Sequence, residues 1–176
     1  YTSGFSGDGR GVFIGGTPPN SNVMQYITLA TTGNSIDFGD LTTAQGGMGG
    51  LSDGSRGVRI GGDLTNVIDY VTIATPGNAV DFGDSVANQN MTGGLSDGTY
   101  GLYAGGNYPN TNAIDKITVA TTGNAIDWAD VLNTPFDPAA VGNNTRGIWF
   151  GGFSVTAQNA YSNIIQYVTI ATLGNG

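Results

Sequence analysis

The sequence predicts an all-β chain in which one small antiparallel sheet is repeated four times in tandem. Three observations predict it. First, the block "DYVTIATPGNAVDFGD" from Asp69 returns as "DKITVATTGNAIDWAD" from Asp115, 46 residues further on. Self-similarity at such a period marks a repeat architecture. Second, Gly is 31 of 176 residues, far above the usual share, with no collagen triplet period. Third, short runs of Val, Ile, Tyr and Phe alternate with polar residues and are bounded by Asp-Gly and Gly-Asn. Period-two alternation between turn signals is the signature of short strands.

The repeat has four markers. Gly pairs stand at Gly15-Gly16, Gly61-Gly62, Gly105-Gly106 and Gly151-Gly152, spaced by 46, 44 and 46. After each comes "YITLAT" from Tyr26, "YVTIAT" from Tyr70, "KITVAT" from Lys116 or "YVTIAT" from Tyr167. A "GN" turn follows at Gly33, Gly77, Gly123 and Gly174. Then "DFGD" or "DWAD" begins at Asp37, Asp81 and Asp127, with no fourth copy before Gly176.

Each unit reads as four strands. In the second, strand a covers about 46–52 and the turn Asp53-Gly54 follows. Strand b is 56–62, and strand c is 66–75, where Val67, Asp69, Val71 and Ile73 alternate with Ile68, Tyr70, Thr72 and Ala74. Pro76-Gly77-Asn78 turns the chain into strand d, 79–84. Asp-Gly and Gly-Asn tolerate the positive φ that tight hairpins require. Four antiparallel strands recurring every 44–46 residues describe a β-propeller blade. The blades expected are 1–40, 44–84, 90–130 and 136–176, one repeat domain in all.

The Gly pairs after strand b suit a crowded axis, where the absence of Cβ lets backbones approach. Phe38, Phe82 and Trp128 occupy matching places on strand d and are expected to wedge between neighbouring blades. The fourth unit reads as a (about 137–143), b (146–152) and c (about 161–172) without d. The chain is therefore expected to be a segment of a larger array. Alternatively, a neighbouring chain supplies the strand, or a three-stranded blade leaves an edge for pairing.

Composition narrows the chemistry. All 13 acids are Asp, against four Arg and one Lys, for a net charge of −8. That balance disfavours nucleic acid and anionic membranes as partners. There is no Cys and no His, which removes thiolate chemistry and the commonest general base and metal ligand. No apolar run approaches the roughly 20 residues of a membrane span.

At "SDGSRGVRIGG…NVIDYVTIATPGNAVDFGDS" the order of Gly pair, Tyr-bearing strand and aromatic strand resembles a kelch-type blade. The wording resembles the kelch-like repeats of tailed-phage structural proteins, tail fibres and adhesins above all, over essentially the whole chain. The resemblance implies a non-enzymatic virion or extracellular surface protein that binds a host glycan or protein receptor. Other virion subunits as partners and a homo-oligomer are expected with it, and no cofactor apart from the Ca²⁺ weighed below. Units are shorter than the cellular kelch pattern, and the third has Lys116 where the others have Tyr. The family motif is structural, so no binding residue transfers. Two other classes stand beside this one: a structural spacer or assembly module, and a propeller-type polysaccharide-degrading enzyme.

The ligand-binding candidates lie in the variable b–c loops, 17–22, 107–112 and 153–163, because loops on a rigid scaffold carry recognition. Tyr108, Phe153 and Tyr161 are expected to stack on sugar rings, with Asn110, Asn112 and Asn159 hydrogen-bonding to them. Asp37, Asp81 and Asp127, with Asp40, Asp84 and Asp130, suggest carboxylate rings for Ca²⁺; the plainer expectation is that each caps a turn. Arg10, Arg56 and Arg146 share a register, replaced by Tyr100 in the third unit. They read either as a ligand-facing ring or as stems packed along the sheet and paired with a neighbouring unit's Asp. "LSDGSRG" and "LSDGTYG" echo the sialidase Asp-box turn without its terminal aromatic.

Overall fold

The computed structural model describes residues 1–63, 65–106, 110–154 and 160–170. Among them there is no helix; every regular element is a strand, and every pairing is antiparallel. The first unit pairs β1 (Ser3–Gly7), β2 (Arg10–Gly16), β3 (Ser21–Thr28) and β4 (Ile36–Gln45) in that order. The second pairs β5 (Gly49–Ser52), β6 (Arg56–Ile60), β7 (Thr65–Thr72) and β8 (Val80–Gln89). The third pairs β9 (Gly93–Ser96), β10 (Tyr100–Ala104), β11 (Ala113–Thr118) and β12 (Ile126–Asp130).

The fourth unit departs. Its first strand is preceded by β13 (Pro135–Phe136). Its main sheet joins β14 (Ala139–Gly142), β15 (Arg146–Phe150) and β18 (Ile165–Thr169). A second small sheet joins β13, β16 (Phe153–Ser154) and β17 (Ala160–Tyr161). The expected strand c of 161–172 thus begins only at Ile165, because Ala160–Tyr161 pairs with Phe153–Ser154 instead. Strand b stops at Phe150, before Gly151 and Gly152 with φ of +71° and +81°, as it stops at Ile60 and Ala104 before the Gly pairs of the second and third units. Residues 171–176, with the fourth "GN" turn, lie outside the described residues.

The Asp-Gly hairpins are held by side chains. Asp53 Oδ1 accepts from the amides of Ser55 and Arg56 at 2.8 and 2.7 Å, and Asp97 repeats this at Thr99 and Tyr100. Asn143 does the same for Thr145 and Arg146. A short side-chain acceptor two residues ahead of a donor stabilises the turn without occupying the strand ladder.

The core lies between units. One buried cluster joins Val12, Ile14 and Phe38 of the first unit to Val71 and Ile73 of the second. Another joins Val58, Ile60 and Phe82 to Tyr103, Ile117 and Val119. A third joins Leu102, Ile114 and Trp128 to Trp149, Val168 and Ile170. Phe38, Phe82 and Trp128 thus wedge between consecutive sheets as expected. Each sheet buries its apolar side on the next, as a lone four-stranded sheet cannot.

A knob and a hole fix the stacking. A Cβ built on Gly101 would stand 2.8 Å from Leu51 Cδ1, and one on Gly147 would stand 2.9 Å from Leu95 Cδ2. Phe5 occupies the same position over Gly57. The first strand of each of the first three units thus drops one apolar side chain onto the second residue, a Gly, of the next unit's second strand. Glycine is required there for space. Hydrogen bonds close the outer seam: Asn78 Oδ1 accepts from the Asp40 amide and Asn124 Oδ1 from the Asp84 amide, at 3.0 and 3.1 Å.

Candidate functional site

The insertion in the fourth unit builds a cleft that bears two of the expected site residues, Phe153 and Tyr161. Cross-strand pairing sets Phe136 opposite Phe153 and Phe153 opposite Tyr161. The Phe136 and Phe153 ring centroids are 5.0 Å apart, tilted at 47°. Phe153 and Tyr161 are 5.5 Å apart and edge-to-face at 86°. These separations suit favourable aromatic pairing. Tyr161 ends the row with 89% of its surface exposed. The cleft, about 430 Å³, is also lined by Tyr1, Asp137 and Gly152.

The backbone explains why these residues meet. Gly47, Met91 and Asp137 hold one position in successive units, and all three have positive φ, +65°, +60° and +56°. The amide of Met91 donates to Gly47 O, and that of Asp137 donates to Met91 O at 2.7 Å. Asp137 is therefore the last rung of a unit-to-unit ladder, and Tyr1 stands at the matching position of the first unit. Ser162 N donates to Gly152 O at 2.8 Å, which anchors the far side of the insertion.

Of the expected ligand-binding residues, the structure brings Phe153 and Tyr161 together. Asn110 and Asn112 are exposed in the third unit and do not line this cleft; the Asn112 carbonyl accepts from Val131 N at 2.7 Å. Tyr108 and Asn159 lie outside the described residues. Sequence reasoning missed Tyr1, Phe136 and Asp137. The available signal was "PFDP" at 135–138, an aromatic where the two preceding units have Gly46 and Asn90 before their first strands.

The cleft offers aromatic faces and one exposed carboxylate. It can take a ligand with apolar C–H faces and hydroxyl donors. Among the described residues that line it, Asp137 is the one carboxylate.

The recurring registers serve the stacking. Arg10 and Arg56 lie 4.7 Å above the rings of Tyr26 and Tyr70, and each donates to a carbonyl of the next unit, Ile73 O at 2.6 Å and Val119 O at 3.2 Å. Their partner across the seam is backbone, where the sequence suggested a neighbouring Asp. Arg146 lies over Tyr167 at 4.9 Å. Asp40 and Asp84 join the outer seam through their main chain, their carbonyls accepting from Ala79 N and Ala125 N at 2.8 Å. Among the described residues, no three acidic side chains gather as a metal site.

One register carries buried polar chemistry. The middle residue of each second strand faces a fixed partner on the third: Phe13 and Gln25, Arg59 and Asp69, Tyr103 and Asp115, Trp149 and Gln166. Arg59 and Asp69 form a fully buried ion pair, and Thr42 of the first unit donates its hydroxyl to Asp69 at 2.8 Å. Burial first, then the charge of Asp127, pushes the Asp115 carboxyl up to about 6; nearby Tyr103, the Val86 amide and Gln89 partly offset this. None of these three meets full hydrogen-bond geometry, so both Asp115 oxygens stay unmatched. Leu132 N donates to Gln166 Oε1 at 2.6 Å.

No protein-family model matches this chain, and no curated protein sequence matches it.

Proposed function

We propose that this chain is a non-enzymatic binding module of β-propeller type, carried on a virion or other extracellular surface, whose fourth-unit cleft receives a host-surface glycan. The carrying observation is the row Phe136–Phe153–Tyr161, braced ring on ring and ending in a Tyr almost wholly in solvent. A large aromatic held in a fixed pose at the surface favours recognition over core formation. The C–H face of a sugar stacks on Tyr161, and Asp137 accepts from its hydroxyls. No cofactor enters this function.

The propeller reading is supported by the inner strands. Residues 4–6, 50–52, 94–96 and 140–142, one stretch from each unit, line a single depression of about 310 Å³. First strands that converge on one axis are what blades of a propeller share. The surface setting and the partnership with other virion subunits rest on the kelch-type wording of the repeat. A charge of −8 argues against nucleic acid as a partner. No helix of the described residues is long and apolar enough to cross a membrane.

A glycan array probed with the intact chain tests the reading. Binding to a subset of glycans is expected, lost by on the order of tenfold or more in Tyr161→Ala, as for a central aromatic contact. Silence across the array would favour a spacer or assembly module. Turnover of a bound polysaccharide would contradict the non-enzymatic assignment.

A further inference from the structure

Three Asp-Gly steps follow first strands in this chain, Asp8-Gly9, Asp53-Gly54 and Asp97-Gly98, and the fold holds one of them differently. At Asp53 the carboxylate is committed, since Oδ1 accepts from the amides of Ser55 and Arg56. The Gly54 amide is committed too, donating to Ser52 Oγ at 2.8 Å. Asp97 and Gly98 repeat both arrangements, with Ser96 Oγ accepting at 3.0 Å. The first unit spells Gly7-Asp8-Gly9, so its Asp stands one place nearer the second strand. Gly7 pairs with Arg10, which leaves Asp8 and Gly9 as a two-residue turn with φ of +46° and +72°. Both are exposed, and a Cβ on Gly9 would meet nothing within 4 Å. Gly9 O accepts from Leu29 N at 2.9 Å, but among the described residues the Gly9 amide and the Asp8 carboxylate have no hydrogen-bond partner.

We propose that Asp8 is a site of spontaneous backbone modification, converting to isoaspartate in the folded chain while Asp53 and Asp97 are protected. The Gly9 amide nitrogen attacks Asp8 Cγ. A C–N bond forms, and one carboxyl oxygen departs as water with the amide proton and the acid proton, leaving a five-membered succinimide. Water then adds to either ring carbonyl. Opening at one returns Asp; opening at the other leaves a main chain that runs through the side-chain carbons. Water is the only co-reactant. Gly favours ring closure because it has no side chain to hinder the approach. At Asp53 and Asp97 the attacking amide is hydrogen-bonded and the carboxyl is held by two other amides. The product lengthens the main chain by one carbon inside a two-residue turn whose positive φ values match the twist of its strands. Arg10, the next residue but one, opens β2, stacks on Tyr26 and donates to Ile73 O at 2.6 Å. Isomerisation at Asp8 thus reaches the seam between the first and second units.

Peptide mapping of the full chain after storage in warm, mildly acidic buffer tests this, with electron-transfer fragmentation to tell isoaspartate from aspartate. Isoaspartate should build up at Asp8 about tenfold or more faster than at Asp53 or Asp97, which must first break hydrogen bonds worth about a decade of rate. In guanidinium chloride the three rates should converge, since each is then an Asp-Gly step in an open chain. Asp8→Gly keeps a residue that tolerates positive φ and removes the carboxyl. Chain carrying isoaspartate at Asp8 should melt below fresh chain, whereas Asp8→Gly stored in the same way should melt as it did when fresh. Equal rates at the three steps in the folded chain would overturn the proposal. So would a preference for Asp8 that persists in guanidinium chloride, because it would then come from the local sequence and not from the fold. Unchanged melting of the isoaspartate chain would overturn the link to the Arg10 seam.

Discussion

Lys116 holds its ammonium 4.6 Å from the ring centre of Tyr100, on the two positions where every other unit places a Tyr and an Arg the other way round. Arg10 covers Tyr26, Arg56 covers Tyr70 and Arg146 covers Tyr167; in the third unit cation and ring have changed strands. In sequence this looks like two separate departures from the repeat. In the structure it is one exchange that preserves the contact, with the Lys116 ammonium also 5.8 Å from the Trp128 ring.

The exchange makes a double-mutant prediction. Tyr100→Arg alone sets two cations together, and Lys116→Tyr alone removes the cation. Each should destabilise the chain by about 0.5–1 kcal/mol. Tyr100→Arg with Lys116→Tyr rebuilds the pair of the other units and should recover most of that loss. Urea denaturation of the three variants measures the coupling.

The knob-and-hole seam predicts opposite signs for one chemical change. Gly101→Ala drives a methyl against Leu51 and should cost about 1–3 kcal/mol, as overpacking does. Gly11→Ala has room, so in dilute monomer it should be neutral or stabilise by about 0.4–1 kcal/mol through the unfolded chain. Melting of the two variants side by side distinguishes a stacking Gly from a spare one.

Much of this architecture was legible because it repeats. Gly pairs, "GN" turns and alternating runs located the units and most strands, and Phe38, Phe82 and Trp128 went where their spacing put them. The site was legible only through Phe153 and Tyr161, aromatics in a loop longer than its counterparts. Phe136 and Asp137 escaped because pairing across the insertion, a tertiary event, brings them there. The Arg59–Asp69 pair escaped because its register reads Phe/Gln, Arg/Asp, Tyr/Asp and Trp/Gln, with no constant residue to flag it.

That buried ion pair yields a sharper prediction. Asp69→Ala strands the Arg59 guanidinium and should cost about 3–5 kcal/mol, as loss of one partner of a buried pair does. Arg59→Trp with Asp69→Gln installs the pair found in the fourth unit. The introduced side-chain amide can then accept from Thr42 N as Gln166 accepts from Leu132 N, so the double variant should be the more stable of the two. Chemical denaturation with a common reference compares them.

Asp115 makes stability fall as pH rises. Its carboxyl is raised to about 6 in the fold from 3.8, so the folded chain holds the proton that the unfolded chain releases. The favourable contribution is complete below about pH 4 and lost as pH climbs through about 6, on the order of 3 kcal/mol in all. Asp115→Asn should remove this slope. Melting temperatures of wild type and variant should therefore diverge in favour of the variant between about pH 4 and 7 and run parallel above it.

Native-state hydrogen exchange on dilute, monomeric chain tests most directly that each sheet is buried by its neighbours in line. The amides of β6 and β10, whose residues after the first are buried on both faces, should exchange only through global unfolding. Those of β2 and β15, each open on one face, should exchange faster through local opening at the two ends of the stack. Equal protection of all four strands, or slower exchange at β2 and β15 than at β6 and β10, would contradict the stacking.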